Sequence, residues 1–175
     1  VVGKKISGAK SKGYGKFARL HVEKDILNKM LDWVKSLNFE AYVIDHFMFK
    51  TATRITATLK AKIQDLVEFE DHAEIRVFDK ARRSIHPDGK EWIKYMDPRL
   101  LSEVKQIKNE RKAGSLFNLS KDEMAKINRS ALETFCPELL KEYGDLMPNH
   151  FWRHMFAQHM LRATDWNYGL VGELG

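Results

Sequence analysis

Apolar residues recur at helical spacing from about Val22 to Leu37, where Val22, Ile26, Met30, Leu31 and Val34 form one stripe. A second helix is predicted from Phe39 to Thr51 and a third from Arg54 to about Ile63. Then the period changes. Leu66-Val67-Glu68-Phe69 and Glu74-Ile75-Arg76-Val77-Phe78 alternate with a period of two, as strands do because successive side chains point to opposite faces. Pro87-Asp88-Gly89 signals a turn, and Trp92-Ile93-Lys94-Tyr95 reads as a third short strand. After Pro98 the helical period returns, with Leu100, Leu101, Val104 and Ile107 on one stripe. Ser120 with Glu123 has the form of a capping box, opening a helix that carries Met124, Ile127, Ala131 and Leu132. Pro137 and Pro148 punctuate the remainder of the chain. Asn149 is the expected N-cap of a helix from His150 to about Thr164, and Asp165 the expected cap of one more, holding Trp166, Leu170 and Leu174. The predicted fold class is α+β, mainly helical, with one small three-stranded antiparallel sheet inserted after the third helix.

The start of the chain has a different texture. Val1 to Gly15 is rich in Gly, Lys and Ser, so residues 1–21 read as a basic linker or arm and residues 22–175 as one domain. The length of 175 residues suits a single domain with a buried core. Thirty Lys and Arg against 24 Asp and Glu give a formal charge of +6. That balance favours polyanionic partners, because neutralising phosphates releases condensed counterions. The lone cysteine, Cys136, excludes an intrachain disulfide and fits a reducing cytoplasm. No apolar run reaches the roughly 18 residues of a membrane helix, and no membrane partner is expected.

Candidate chemistry concentrates in His150-Phe151-Trp152-Arg153-His154-Met155-Phe156-Ala157. His150 and Arg153 are spaced to share a helix face near its start, where unpaired backbone N–H groups and the helix dipole favour a phosphate. An Arg fork beside an imidazole suits phosphoryl transfer. A surface helix with an unrelated His and Arg would look the same. His150 and His154 also have the i, i+4 spacing of zinc ligands, but Phe151 stands where the glutamate of a His-Glu-x-x-His metalloprotease belongs.

The segment resembles the His-x-x-Arg-His-x-Phe-Ala motif of tyrosine recombinases, the phage-type integrases, which is followed in that family by Leu-Gly-His or Leu-Gly-Trp; here Glu173-Leu174-Gly175 follows. The family's earlier motif, Thr-Gly-x-Arg-x-x-Glu and then Asp-Ile or Asp-Leu, is matched by Thr51-Ala52-Thr53-Arg54 with Asp65-Leu66. A hairpin lysine is matched by Lys80 in Val77-Phe78-Asp79-Lys80. The resemblance covers Val22 to Gly175 and is nearest in feel to integrases of archaeal plasmids and viruses. Two positions depart from it: Ala52 replaces the family's glycine, and Ala57 its acidic residue. Another group must then hold the site, or the site is looser.

The resemblance implies a catalytic domain that joins its tyrosine to a DNA phosphodiester, leaving a 3′-phosphotyrosine and a free 5′-hydroxyl, with no metal or cofactor. Arg54 and Arg153 would stabilise the transition state's charge. Lys80, with Lys90 as runner-up, would protonate the leaving 5′-oxygen, and His150 would position or deprotonate the tyrosine. The motif order places that tyrosine beyond Gly175, so the 175 residues are expected not to carry it. Tyr168 falls in the short helix before Leu174-Gly175, where packing is its expected role. The implied partner is double-stranded DNA at a specific attachment site, bound as a homo-oligomer, a tetramer in this family. Arg82, Arg83, Lys105, Lys108, Arg111 and Lys112 are candidate phosphate contacts outside the site. The alternative is a non-catalytic DNA-binding module derived from an integrase.

Overall fold

The computed structural model describes residues 21–79, 90–144 and 147–165. The first helix, α1 (Lys24–Leu37), buries Leu27, Met30, Leu31 and Val34 along one face, while Lys24, Asp25, Lys29, Asp32 and Lys35 stay exposed. Asn38 alone separates it from α2 (Phe39–Thr51) and caps that helix, its side-chain oxygen accepting the Ala41 N–H at 3.0 Å. The third helix, α3 (Ile55–Leu59), is shorter than the expected run to Ile63. The backbone leaves the helix because it pairs elsewhere: Ile63 N–H donates to Gly114 O and Leu116 N–H to Ala61 O, each at 2.9 Å. A 3-10 turn (Ile63–Asp65) then feeds the sheet.

Strands β1 (Leu66–Glu68), β2 (Ala73–Asp79) and β3 (Lys90–Met96) form an antiparallel sheet in the order β1-β2-β3. Ile75 lies opposite Leu66 on one side and Lys94 on the other. The expected first strand loses Phe69, whose N–H closes a turn onto His72 O at 2.9 Å. Next comes α4 (Pro98–Lys108), with Pro98 in its first turn and Asp97 accepting the Leu100 N–H. Helix α5 (Lys121–Phe135) has the full capping box between Ser120 and Glu123. Helices α6 (Pro137–Tyr143) and α7 (Met147–Ala163) complete the described chain. The mainly helical fold with one small antiparallel sheet is as the sequence predicts.

Two expectations at the end of the chain change. Helix α7 starts at Met147, not His150, because Pro148 fits a first turn, where no N–H is required. Asn149 is therefore inside the helix and not its N-cap. Asp165 has a φ of 49°, a left-handed conformation at the end of α7 and not the extended backbone of an N-cap. The further helix expected from Trp166 onward lies outside the described residues, as do Tyr168, Leu174 and Gly175.

Helix α2 is central, packing against α1, α3, α4, α7 and β3. Its buried residues, Ala41 to Met48 without a break, encircle it, as expected of a helix with no solvent face. Phe47 meets Phe117 edge-on, and Phe49 meets Trp152 in the same way. Truncating a fully buried ring such as Phe47 or Phe151 to alanine costs about 3–5 kcal/mol.

Polar groups within this core gather in two clusters, in which, of the buried side-chain atoms, Asp45 Oδ2 alone lacks a hydrogen-bond partner among the described residues. Glu103 on α4 accepts from the Tyr42 hydroxyl at 2.6 Å and meets His46 Nδ1 at 2.5 Å, with Arg99 at 3.3 Å. Burial acts to raise the Glu103 carboxyl, but the hydrogen bonds from Tyr42 and His46 hold it below the usual range. Asp45, fully buried, accepts from Asn128 Nδ2 at 3.0 Å, and Asn128 in turn accepts from Trp152 Nε1 at 3.4 Å. Burial pushes the Asp45 carboxyl up to about 8, against the opposing pull of the nearby Asn128 and Trp152 donors.

Candidate active site

Three elements converge at one edge of the sheet. The first is the turn between α2 and α3. Thr51 ends α2, its hydroxyl donating to Phe47 O and meeting the Thr53 hydroxyl at 2.7 Å. Ala52 then takes a left-handed conformation, φ 57°, which reverses the chain. Arg54 comes next as the N-cap of α3, where its carbonyl accepts from Ala57 and Thr58 while its half-buried side chain reaches toward β2.

The second element is α7. Its buried stripe, Phe151, Trp152, Met155, Gln158 and Leu161, packs inward at helical spacing. That fixes the adjoining face, on which His150, Arg153 and His154 stand at i, i+3 and i+4. Arg153 Nη1 donates to the Ala52 carbonyl, so the left-handed turn and α7 are joined through this guanidinium.

The third element is the sheet. Ala73, Ile75, Val77 and Asp79 alternate along the inner face of β2, and Trp92, Lys94 and Met96 along that of β3. Asp79 Oδ2 lies 2.7 Å from Arg54 Nη1 and 3.9 Å from Arg153 Nη1, so one carboxylate serves both guanidiniums. Lys94 is buried, while its apolar neighbours Ile93 and Tyr95 face solvent. Burial lowers the Lys94 ammonium, with Arg153 and Arg54 repelling it and Asp79 attracting it. His154 is pulled down to about 4 by burial, then by His150 and Arg153. These shifts share a physical cause beyond burial: positive charge accumulates where α7 meets the sheet. Such a place favours an anion.

The structure thus brings together Arg54 and Arg153, with His150 on the same face of α7 as Arg153. Lys80 directly succeeds Asp79 but lies outside the described residues, as do Arg82 and Arg83. Lys90 pairs with Asp79 across β2 and β3, its Nζ 4.2 Å from the centre of the Trp92 ring. The outlying cations have internal partners. Lys105 and Lys108 reach Glu68 on β1 at 2.6 and 3.6 Å. Arg111 donates to the carbonyls of Ile107, Lys108 and Ser115, capping the end of α4, and Lys112 is exposed. Among the described residues, no group of three or more His, Cys, Asp or Glu side chains is arranged to hold a metal ion.

Motif spacing gives no role to Asp79 or Lys94. The signal that could find them is the strand period itself: Asp79 continues the inward series of Ile75 and Val77, and Lys94 stands two residues from both Trp92 and Met96.

No protein-family model matches this sequence, and no curated protein matches it. Solved structures do match in fold. One is the XerH site-specific recombinase bound to its difH substrate in a pre-cleavage complex, with a TM-score of 0.68 at 19% identity over 88% of this chain and 46% of that one. Another is the same recombinase on a palindromic difH substrate in a post-cleavage complex, with a TM-score of 0.66 at 16% identity over 93% of this chain and 48% of that one. The chain spans about half the length of these structures. Helices, inserted sheet and their order together give this chain a fold shared with about half of each of these site-specific recombinase chains.

Proposed function

We propose that this chain is the catalytic domain of a DNA recombinase that cuts and rejoins strands through a 3′-phosphotyrosine. The observation that carries the reading is the convergence of Arg54 and Arg153, from distant parts of the sequence, on one electropositive edge of a recombinase fold. A phosphodiester under attack gathers negative charge on its non-bridging oxygens, and preplaced guanidiniums stabilise that charge without reorganising. The tyrosine oxygen bonds to phosphorus, the bond from phosphorus to the 5′-oxygen breaks, and the departing oxygen takes a proton. In this reading Lys80 supplies that proton and His150 positions or deprotonates the tyrosine. The phosphotyrosine conserves the bond energy, so rejoining needs no metal or nucleotide.

In this reading the nucleophile is a tyrosine that the motif order places after Leu174-Gly175, and not one of the tyrosines of the 175 residues. Tyr42 is committed to Glu103, Tyr95 stacks on His72 on the outer face of the sheet, and Tyr143 packs against the core. The partner is double-stranded DNA at a specific attachment site, gripped by a homo-oligomer, with Arg82, Arg83 and Lys112 as outlying phosphate contacts. Lys105, Lys108 and Arg111 would join them only by giving up their partners within the fold. The motif resemblance extends the reading to integrases of the kind carried by archaeal plasmids and viruses.

The test is covalent trapping. A version of the protein extended to include the tyrosine, incubated with a nicked suicide duplex, is expected to yield a protein–DNA adduct that survives denaturant. Tight binding with no adduct would replace this reading with that of a non-catalytic DNA-binding module.

A further inference from the structure

We propose that Asp79 is the positioning residue of this site, holding Arg54 and Arg153 together so that one phosphate can engage both. The substrate rests on the functional reading proposed for the chain, but the geometry stands by itself. Like-charged guanidiniums repel, and a shared carboxylate offsets the repulsion while fixing their separation. Asp79 Oδ2 is within 2.7 Å of one and 3.9 Å of the other. No carboxylate comes from the helix that Arg54 caps, since α3 carries Ala57 and Thr58, both buried, on its inner side. The acid arrives instead from the last residue of β2, where the sheet's inward alternation after Ile75 and Val77 directs it.

A carboxylate between two arginines could instead occupy the place of the phosphate, as an internal competitor. Burial separates these cases. The side chain of Asp79 is 11% exposed, against 32% for Arg54 and 23% for Arg153. Asp79 is therefore the most buried of the three side chains, as expected of a support and not of a group standing in for an incoming anion. A competitor would be the most exposed of the three. Arg153 is also held by a second element, its Nη1 donating to the Ala52 carbonyl while Asp79 attracts the same nitrogen through charge at 3.9 Å.

The experiment compares wild type with Asp79→Asn, which keeps shape and removes charge, and Asp79→Glu, which keeps charge. It uses the tyrosine-bearing protein on the nicked duplex at saturating DNA. Asp79→Asn is expected to slow adduct formation by about 10²-fold, the scale of a small misplacement of catalytic groups. DNA affinity and melting temperature should stay near wild type, and Asp79→Glu should recover part of the rate. An unchanged rate in Asp79→Asn overturns the proposal. Faster cleavage or tighter DNA binding also overturns it, because that is the behaviour of a displaced competitor.

A second readout needs no cleavage. Proton exchange at the Arg54 and Arg153 guanidiniums, followed by NMR in the 175-residue chain with and without inorganic phosphate, should be slow in wild type and accelerated in Asp79→Asn. If wild type fails to cleave, the functional reading falls while this measurement still decides the role of Asp79. Unchanged exchange in Asp79→Asn refutes it.

Discussion

Asp45 and Asp79 are the same residue type, both largely hidden from solvent, and their surroundings differ in one respect. Asp45 sits in the helical core near the neutral donors Asn128 and Trp152, with no cation among the described residues paired to it. Asp79 sits at the sheet edge with Arg54 and Arg153. Burying an isolated carboxylate is costly enough that the group takes up a proton instead, and Asp45 obeys that rule. At the sheet edge the cost is met by ion pairing, and the arginines gathered there outnumber the carboxylate. The helical core therefore uses its polar groups to join α2 to α4, α5 and α7. The sheet edge uses its own to assemble a site with surplus positive charge. Substitutions in the first region should be read in stability, and those in the second in chemistry.

The largest expected effect breaks the second region. Arg54→Ala and Arg153→Ala should each lower the rate of strand cleavage by about 10²–10³-fold, the cost of removing one preorganised donor to a developing charge. DNA binding should remain largely intact, because most of it comes from phosphate contacts elsewhere. Rates from single-turnover cleavage and affinities from equilibrium titration check this. Cleavage at the wild-type rate by either variant would remove both arginines from the proposed chemistry.

Smaller effects sharpen the first region. A carboxyl such as Asp45, raised when folded, holds its proton more tightly in the native state. Its contribution to stability is therefore full below about pH 4 and is lost as pH rises toward 8. Asp45→Asn removes that dependence. Set against the cost of an amide lacking one partner, it should be roughly 1–3 kcal/mol more stable than wild type at pH 7, with the advantage disappearing toward pH 4. Urea denaturation at several pH values measures this, and parallel curves for the two proteins would show that Asp45 is not protonated in the core. Glu103 has the opposite sign. Its carboxyl is lowered in the fold, so its contribution is present at neutral pH and lost as pH falls through the carboxylate range. Glu103→Gln should cost about 1–3 kcal/mol at pH 7 and less in acid. Neither core variant should alter the cleavage rate once folded.

The contrast also shows what the sequence could disclose. Helices α1, α2, α4 and α5 were legible because each carries an apolar stripe or a cap, and the strands because their period is two. Arg54 and Arg153 were legible because each falls within a motif. The end of α3 was not legible, because its backbone is claimed by Gly114–Leu116, a partner far along the chain. Asn149 misled because an N-cap signal stood one residue after a proline that starts helices equally well. Asp79 and Lys94 were hidden for a different reason. Alternation assigned each to a face, but only the docking of α7 against the turn at Ala52 reveals that this face meets two arginines and not only the apolar core.

Ala52 is the smallest and most local test. Its φ of 57° is a conformation in which a Cβ crowds the following carbonyl oxygen, costing about 1–2 kcal/mol relative to glycine. Glycine in its place would remove that crowding but give up some order in the unfolded chain, worth about 0.5–1 kcal/mol. Ala52→Gly should therefore stabilise the fold slightly, by up to about 1 kcal/mol, as read by thermal melting. The group that Arg153 grips here is a main-chain carbonyl, which survives the substitution, so cleavage should be retained. A variant that melts higher yet cleaves slower would mean that the strain at Ala52 itself tunes the Arg153 guanidinium. The left-handed turn would then belong with Asp79 among the devices that position the site, and not with the packing of α2.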